Sequence, residues 1–188
     1  MKSIYNFFIL CFLAIFISGC GGVYNYDPDY TEKDKNQYYN KVSTIPVILD
    51  ANDKIITKNF GLSKRSIDFG NINKNVLKDF TSQYFSNIQS INNLKPNDSL
   101  YIQSEILDYV YTPKGLTMGN QDLDLTIKVK VLYKNELKLE KIYQYHTNNK
   151  VVLRLWSNDY FATIVEFIHE AIFEFYETEF KKDLLEAL

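Results

Sequence analysis

Cysteine is nearly missing from this chain of 188 residues: there are two, Cys11 and Cys20. Histidine is as scarce, with His146 and His169, and there is one tryptophan. These shortages exclude whole classes of function. A disulfide framework needs several paired cysteines. A zinc centre or a hydrolytic triad needs histidine with suitably placed partners, and neither His stands in such a motif. Acidic and basic residues nearly balance, 23 against 21, so the basic surface that nucleic acid requires is not indicated. The glycines of Gly115-Leu-Thr-Met-Gly119 lack the spacing and the Lys-Ser/Thr of a phosphate loop. No apolar run reaches the roughly 20 residues of a membrane-spanning helix. No catalytic residue, cofactor or metal is expected.

What is present is concentrated first at the N-terminus. Lys2 is the only charge before Cys20, and Phe7 to Ile17 is an apolar run of eleven residues. That length and its positive flank fit the h-region of a secretory signal. Ile17-Ser18-Gly19-Cys20 resembles the bacterial lipobox, with Ile where Leu is usual. The resemblance implies cleavage before Cys20 and a diacylglyceryl thioether on its sulfur, usually followed by acylation (a palmitate-type chain) of the new amino terminus. Each buried CH₂ contributes about 0.8 kcal/mol, and two chains anchor where one does not. Removal of residues 1–19 takes the formal charge from −2 to −3. It also discards Cys11 and leaves no free thiol, so stability must come from packing.

Three segments follow: a signal peptide over 1–19, a lipidated Cys20 with a polar, Tyr-rich tether over 20–43, and one domain over 44–188. Extended, residues 21–43 would reach about 80 Å; as a flexible coil they would span about 25 Å. The domain can bury roughly 70% of its unfolded surface. Thr44 to Leu49 reads as a strand, with Pro46 placing it at an edge or a strand start. Lys54 to Phe60 returns as a second strand, and Gly61 to Gly70 reads as a loop. With Asn71 or Asn73 as the cap, Val76, Leu77, Phe80, Tyr84, Phe85 and Ile88 mark one face of a helix. Asn92, Asn93, Pro96 and Asn97 end it.

Leu100 to Thr112 reads as a strand with Leu100, Ile102, Ile106 and Val110 on one face and Tyr101, Leu107, Tyr109 and Tyr111 on the other. Within Asp122 to Tyr133, Leu123, Leu125, Ile127, Val129, Val131 and Tyr133 alternate with Asp122, Asp124, Thr126, Lys128 and Lys130, the pattern of a half-buried strand. Lys134-Asn135-Glu136 turns it into a returning strand, Leu137 to Thr147. A long final helix, capped by Ser157 or Asn158, buries Phe161, Ile164, Val165, Ile168, Ile172 and Phe175. The expected fold is α+β: an antiparallel sheet of about four to five strands, with two helices packed on one face and the C-terminal helix long.

Within that frame His146 and His169 read as structural. Glu166, Glu170, Glu174 and Glu177 form an acidic stripe that reads as the solvated side of the last helix. Asp122 and Asp124 share the outer side of their strand. The loop over 113–121 is of the kind that carries binding function, which makes Tyr109, Tyr111 and Met118 the candidate binding residues.

The order of elements is similar to that of the YajG-type outer-membrane lipoproteins and, more loosely, of the auxiliary lipoproteins of envelope lipid transporters. The resemblance rests on the lipobox, the strand "IPVIL", the helix "NVLKDFTSQYF", the strand "LYIQSEILDYVYT", the run "LDLTIKVKVLYKNELKLEKIYQY" and a helix after "SND". The Asp-x-Arg-like stretch usual after the first strand is here Asp50-Ala51-Asn52-Asp53-Lys54. The resemblance implies a non-enzymatic lipoprotein of the outer membrane facing the periplasm. Its partners would be the bilayer, through Cys20, and an envelope protein or lipid-like ligand, met through the sheet and the 113–121 loop. A surface-exposed or flagellum-associated lipoprotein and a lipid-transport auxiliary subunit stay open as alternatives.

Overall fold

The computed structural model describes residues 23–24, 43–60, 63–90, 99–113, 118–152 and 159–188. The signal segment, Cys20, tether residues 25–42, Asn92 to Asn97, Trp156, Ser157 and Asn158 lie outside the described residues. The elements are β1 (Val23–Tyr24), β2 (Ser43–Ala51), β3 (Ile55–Phe60), β4 (Ser63–Asp68), α1 (Phe69–Tyr84), β5 (Phe85–Ser90), β6 (Leu100–Pro113), β7 (Met118–Tyr133), β8 (Glu136–Val152) and α2 (Asp159–Phe175). A π-helical turn, Tyr176–Phe180, then leads into α3 (Lys181–Ala187).

Five strands form the main sheet in the order β5-β2-β6-β7-β8. The α+β class, the strand number, the helical layer and the long C-terminal helix agree with expectation. The sheet is mixed, however: β6, β7 and β8 are antiparallel, whereas β2 runs parallel to both β5 and β6. The cause is α1, which lies between β2 and β5 in the chain and serves as the crossover that parallel strands need.

β7 and β8 are joined by Lys134 and Asn135, both at positive φ (53° and 65°), as a tight hairpin turn requires. Leu123, Leu125, Ile127, Val129 and Val131 all point into the core. Against them α1 supplies Val76, Leu77 and Phe80, and α2 supplies Ile168, Ile172 and Phe175. Each such side chain contributes about 1.5–3 kcal/mol by leaving water.

The segment read as a loop, Gly61 to Gly70, contains β4, which pairs antiparallel with β3, and the first residues of α1. Ile67, buried and in register with Ile56, is what holds it there. The helix starts earlier than Asn71 because Asp68 caps it: Asp68 Oδ1 accepts the Asn71 N–H at 2.9 Å. Replacement of Asp68 by Ala should cost about 1 kcal/mol, measurable as a lower urea midpoint with unchanged slope.

The helix also stops earlier than expected, so Phe85 and Ile88 belong to β5. Thr81 and Ser82 turn their hydroxyls back onto the Leu77, Lys78 and Asp79 carbonyls, which weakens the last turn. Pairing with β2 then takes over.

β1 departs from the tether reading. Val23 and Tyr24 pair in parallel with Ser66 and Ile67 of β4, completing a three-stranded sheet β1-β4-β3. Only Gly21 and Gly22 separate Cys20 from this paired strand.

Candidate functional site: the open face of the sheet

The strict alternation of β7 puts Asp122, Asp124, Thr126, Lys128 and Lys130 opposite its core-facing residues. Cross-strand register sets these against Asn148, His146, Gln144, Ile142 and Glu140 of β8. On the other side stand Thr112, Val110, Asp108, Glu105 and Gln103 of β6. The result is a ladder of polar rungs. His146 Nδ1 lies 2.8 Å from Asp124 Oδ1. Asn148 Nδ2 donates to Asp122 Oδ1. Thr126 Oγ1 donates to Gln144 Oε1 at 3.1 Å, and Lys128 pairs with Glu140 at 2.9 Å. Toward β2, Asp50 accepts from the Tyr101 hydroxyl and from Gln103 Nε2. Burial, and then the adjacent Asp50 carboxylate, hold the Tyr101 phenol well above its usual range.

Two apolar residues interrupt the ladder: Val110 is 51% exposed and Ile142 is 56% exposed. Exposed polar pairs of this kind stabilise by only about 0–1 kcal/mol each. They present donors and acceptors at fixed spacings around two exposed apolar side chains. A hydrolytic triad would need, beside a pair such as His146–Asp124, a nucleophile within reach of the ring.

Tyr109 and Tyr111 are not on this face. A bulge at Leu107, where the register with β7 shifts between Ile106 and Asp108, reverses the phase of β6. Val110 therefore leaves the side of Ile106, and Tyr109 and Tyr111 join it. Tyr109 is 2% exposed with its ring 4.6 Å from that of Phe69, and burial pushes its phenol up to about 12. Tyr111 donates to Gln121 Oε1 at 2.6 Å and meets Phe167 edge-on. Both are packed under the helices. Met118 opens β7 opposite Val152. The expected 113–121 loop is thus strand from Met118 onward, and residues 114–117 lie outside the described residues.

His169 is buried on α2, and burial holds its imidazole below the usual value. Folding therefore favours its neutral form. An unfolded His takes a proton near pH 6.5, so as pH falls through that value the unfolded chain binds more protons and stability declines. Glu170 has the opposite sign: burial, then Glu166, raise its carboxyl, so acid relieves it. The urea midpoint of His169→Leu should accordingly fall less than that of the parent between about pH 7.5 and 5.5. Parallel curves for the two chains would rule this out.

The acidic stripe divides in two. Glu166 and Glu170 stand at exposed positions, as expected, with the Glu170 carboxyl partly withdrawn from water. Glu174 accepts from Thr147 at 3.3 Å. Glu177 accepts from Tyr84, whose oxygen also receives Lys181 Nζ at 2.7 Å. Asp183 ties α3 to β8 through Lys141 at 2.7 Å and Tyr143 at 2.6 Å, and these two bonds hold its carboxyl below the usual range.

Among the described residues no group of three His, Cys, Asp or Glu is placed to hold a metal ion. No described helix is long and apolar enough to cross a membrane.

No family model matches the chain, and no curated protein matches it. Similar solved structures include a Xanthomonas campestris protein of family DUF330, with TM-score 0.45 and 10% identity, over 74% of this chain and 82% of that one. A minor lipoprotein from Acinetobacter baumannii gives TM-score 0.39 and 11% identity, over 72% and 87%. A hypothetical protein from Chlamydia trachomatis gives TM-score 0.32 and 14% identity, over 69% and 89%. Likeness at this level decides nothing about activity.

One constellation gave no warning in the sequence. Tyr176, at the start of the π turn, is fully buried with its hydroxyl 2.6 Å from Asn73 Oδ1 and 2.7 Å from Ser104 Oγ. It joins the last helix to α1 and β6 beneath the open face. Asn73, read as a helix cap, is instead a core residue.

Proposed function

We propose that this chain is a bacterial envelope lipoprotein, held at the outer membrane by acyl chains on Cys20 and facing the periplasm. It acts there as a non-enzymatic binding or assembly factor. The signal-like run and the lipobox-like Ile17 to Cys20 support the anchor. The order of β2, α1, β6, the β7–β8 hairpin and the final helix follows the order of elements on which the resemblance to YajG-type lipoproteins rests.

The observation that carries the binding role is the sheet's two-sidedness. Helices cover one face, while the other exposes Val110 and Ile142 among hydrogen-bonding rungs. A face this polar suits a protein partner better than an acyl chain, which would strand the rungs without water. A photo-crosslinking residue at Ile142 in living cells should give one adduct of constant mass. The same residue at Glu179, exposed on the helical side, should give none. Equal patterns at both positions, or no adduct at Ile142, would remove the sheet face from consideration. Mass spectrometry of the mature N-terminus tests the anchor separately.

A further inference from the structure

We infer that the outer edge of β8 pairs with β8 of a second copy of this chain, antiparallel about a two-fold axis at Ile142, so that two five-stranded sheets join into one. The proposed function concerns the face of the sheet. This inference concerns its edge and goes beyond that reading, and it does not depend on lipid at Cys20.

The main sheet ends on β5 at one side and on β8 at the other. An edge strand offers a row of unpaired N–H and C=O groups, and proteins blunt such rows with short strands, proline, bulges or outward charges. β5 follows that rule with six residues. β8 has 17 residues and neither proline nor glycine. Its bulge lies near the hairpin, at Lys138, where the register with β7 shifts. Between Leu139 and Thr147 the fixed charges are Glu140 and Lys141, and both are engaged within the chain. Glu140 bonds Lys128 at 2.9 Å, and Lys141 bonds Asp183 at 2.7 Å. Among the described residues nothing pairs with the outer edge of this stretch.

Charge and burial select the register. A two-fold at Glu140 or at Lys141 sets that charge against its own copy, which is destabilising. A two-fold nearer the hairpin meets the Lys138 bulge. A two-fold at Tyr143 or Gln144 leaves Ile142 beside Gln144 or His146. With the axis at Ile142, that residue meets itself, Glu140 meets Gln144, Leu139 meets Tyr145 and Lys141 meets Tyr143. No like charges face each other, and Ile142, 56% exposed in the single chain, gains an apolar neighbour. Leu139 to Tyr145 paired in this way make about six to eight backbone hydrogen bonds. A contact about a two-fold closes at two copies and leaves no further edge of the same kind. The sheet face stays open, because the pairing uses the edge alone.

The test is a series of single cysteines, Glu140→Cys, Ile142→Cys, Gln144→Cys and His146→Cys, all at exposed positions. Each is made in the full chain, kept in its own envelope membranes and oxidised briefly with copper phenanthroline. At the axis, opposed Cα atoms lie about 4.5–5.5 Å apart, and a disulfide fails beyond about 7 Å. Two copies of position 140, or of position 144, stand about 14 Å apart by strand spacings. Covalent dimer of twice the chain mass should therefore form at least about tenfold faster from Ile142→Cys than from the other three. The parent chain is the control, since an acylated Cys20 leaves it without a thiol. A parent that crosslinks would refute the anchor and not the edge, and the series is then read on a Cys20→Ala background. Ile142→Lys, which sets two ammonium groups at the axis, should turn the detergent-solubilised protein from two chains per particle to one in analytical ultracentrifugation, with its circular dichroism unchanged. Equal dimer at all four positions, a maximum away from 142, an adduct at 142 with a different protein only, or a parent that sediments as a single chain would overturn the proposal.

Discussion

Replacing Gly70 by Ala is expected to destabilise the domain by about 3 kcal/mol, although the same change in most helices stabilises by about 1 kcal/mol. The reversal comes from what a methyl group would meet. A Cβ on Gly70 would lie 2.5 Å from Lys54 N, 2.7 Å from Asp53 Cα and 2.8 Å from Asn52 O. All three are backbone atoms, so no side-chain rotation clears the space. Nor can α1 simply retreat, because the Gly70 N–H donates to Lys54 O at 3.0 Å. The opposing turn is fixed as well. Asn52 N bonds Ser104 O, and the Asn52 and Lys54 side chains both reach Glu105. The methyl must therefore part α1 from the β2–β3 turn or pull that turn off β6. Urea unfolding of the two chains measures the difference, with far-ultraviolet circular dichroism to show that the fold persists. A variant midpoint at or above the parent's would mean that the contact relaxes cheaply.

The same contact connects packing to the proposed binding face. Glu105 belongs to the outward side of β6, and residues 52–54 hold it from β2's end of the sheet. A shifted turn would disturb Glu105 and its neighbours Gln103 and Asp50 before it reached Asp124 or Ile142. Crosslinking from Ile142 is therefore a cleaner reporter of the face than activity of any core variant.

How much of this was legible in the sequence depended on how strongly one periodicity ruled each segment. β7 alternates strictly from Asp122 to Val131, so the two faces of that stretch were readable residue by residue. The buried stripe of α2 was readable for the same reason. β6 was not, because apolar residues occupy both faces and strict alternation had to be assumed. One inserted residue, Leu107, puts Tyr109 and Tyr111 on the core side with Ile106 rather than on the side of Tyr101, and takes two of the candidate binding residues off the open face. β4 was hidden because five of its six residues are polar or charged and a single Ile67 holds it down. β1 was hidden because two residues carry no period at all, and only a neighbouring strand reveals them. Asn73 misled for a chemical reason: the side chain that suits a cap also suits a buried polar network, and the partners that decide between them, Ser104 and Tyr176, are distant in sequence.

That network sets the second large expectation: Tyr176→Phe should cost about 3 kcal/mol. Packing cannot explain such a loss, since the ring would keep its neighbours Phe80, Phe175 and Phe180 at 5.1–5.6 Å. The oxygen explains it. Asn73 Nδ2 donates to Ser104 Oγ at 3.2 Å, and Tyr176 is within hydrogen-bond distance of both residues. A hydroxyl has one proton to give, so when Tyr176 donates to Asn73 the ring of bonds closes with Ser104 donating to Tyr176. Remove the Tyr176 oxygen and two fully enclosed groups lose a partner, at about 1–3 kcal/mol each. Burial already holds the Tyr176 phenol above its usual range near 10, so it is protonated throughout the neutral range. The defect should therefore be independent of pH across that range. Removing the other members as well, in Asn73→Leu/Ser104→Ala/Tyr176→Phe, should recover part of the loss, because no stranded polar atom remains. An additive triple variant would show that the three residues act separately, and a loss below about 0.5 kcal/mol for Tyr176→Phe would show that water replaces the hydroxyl.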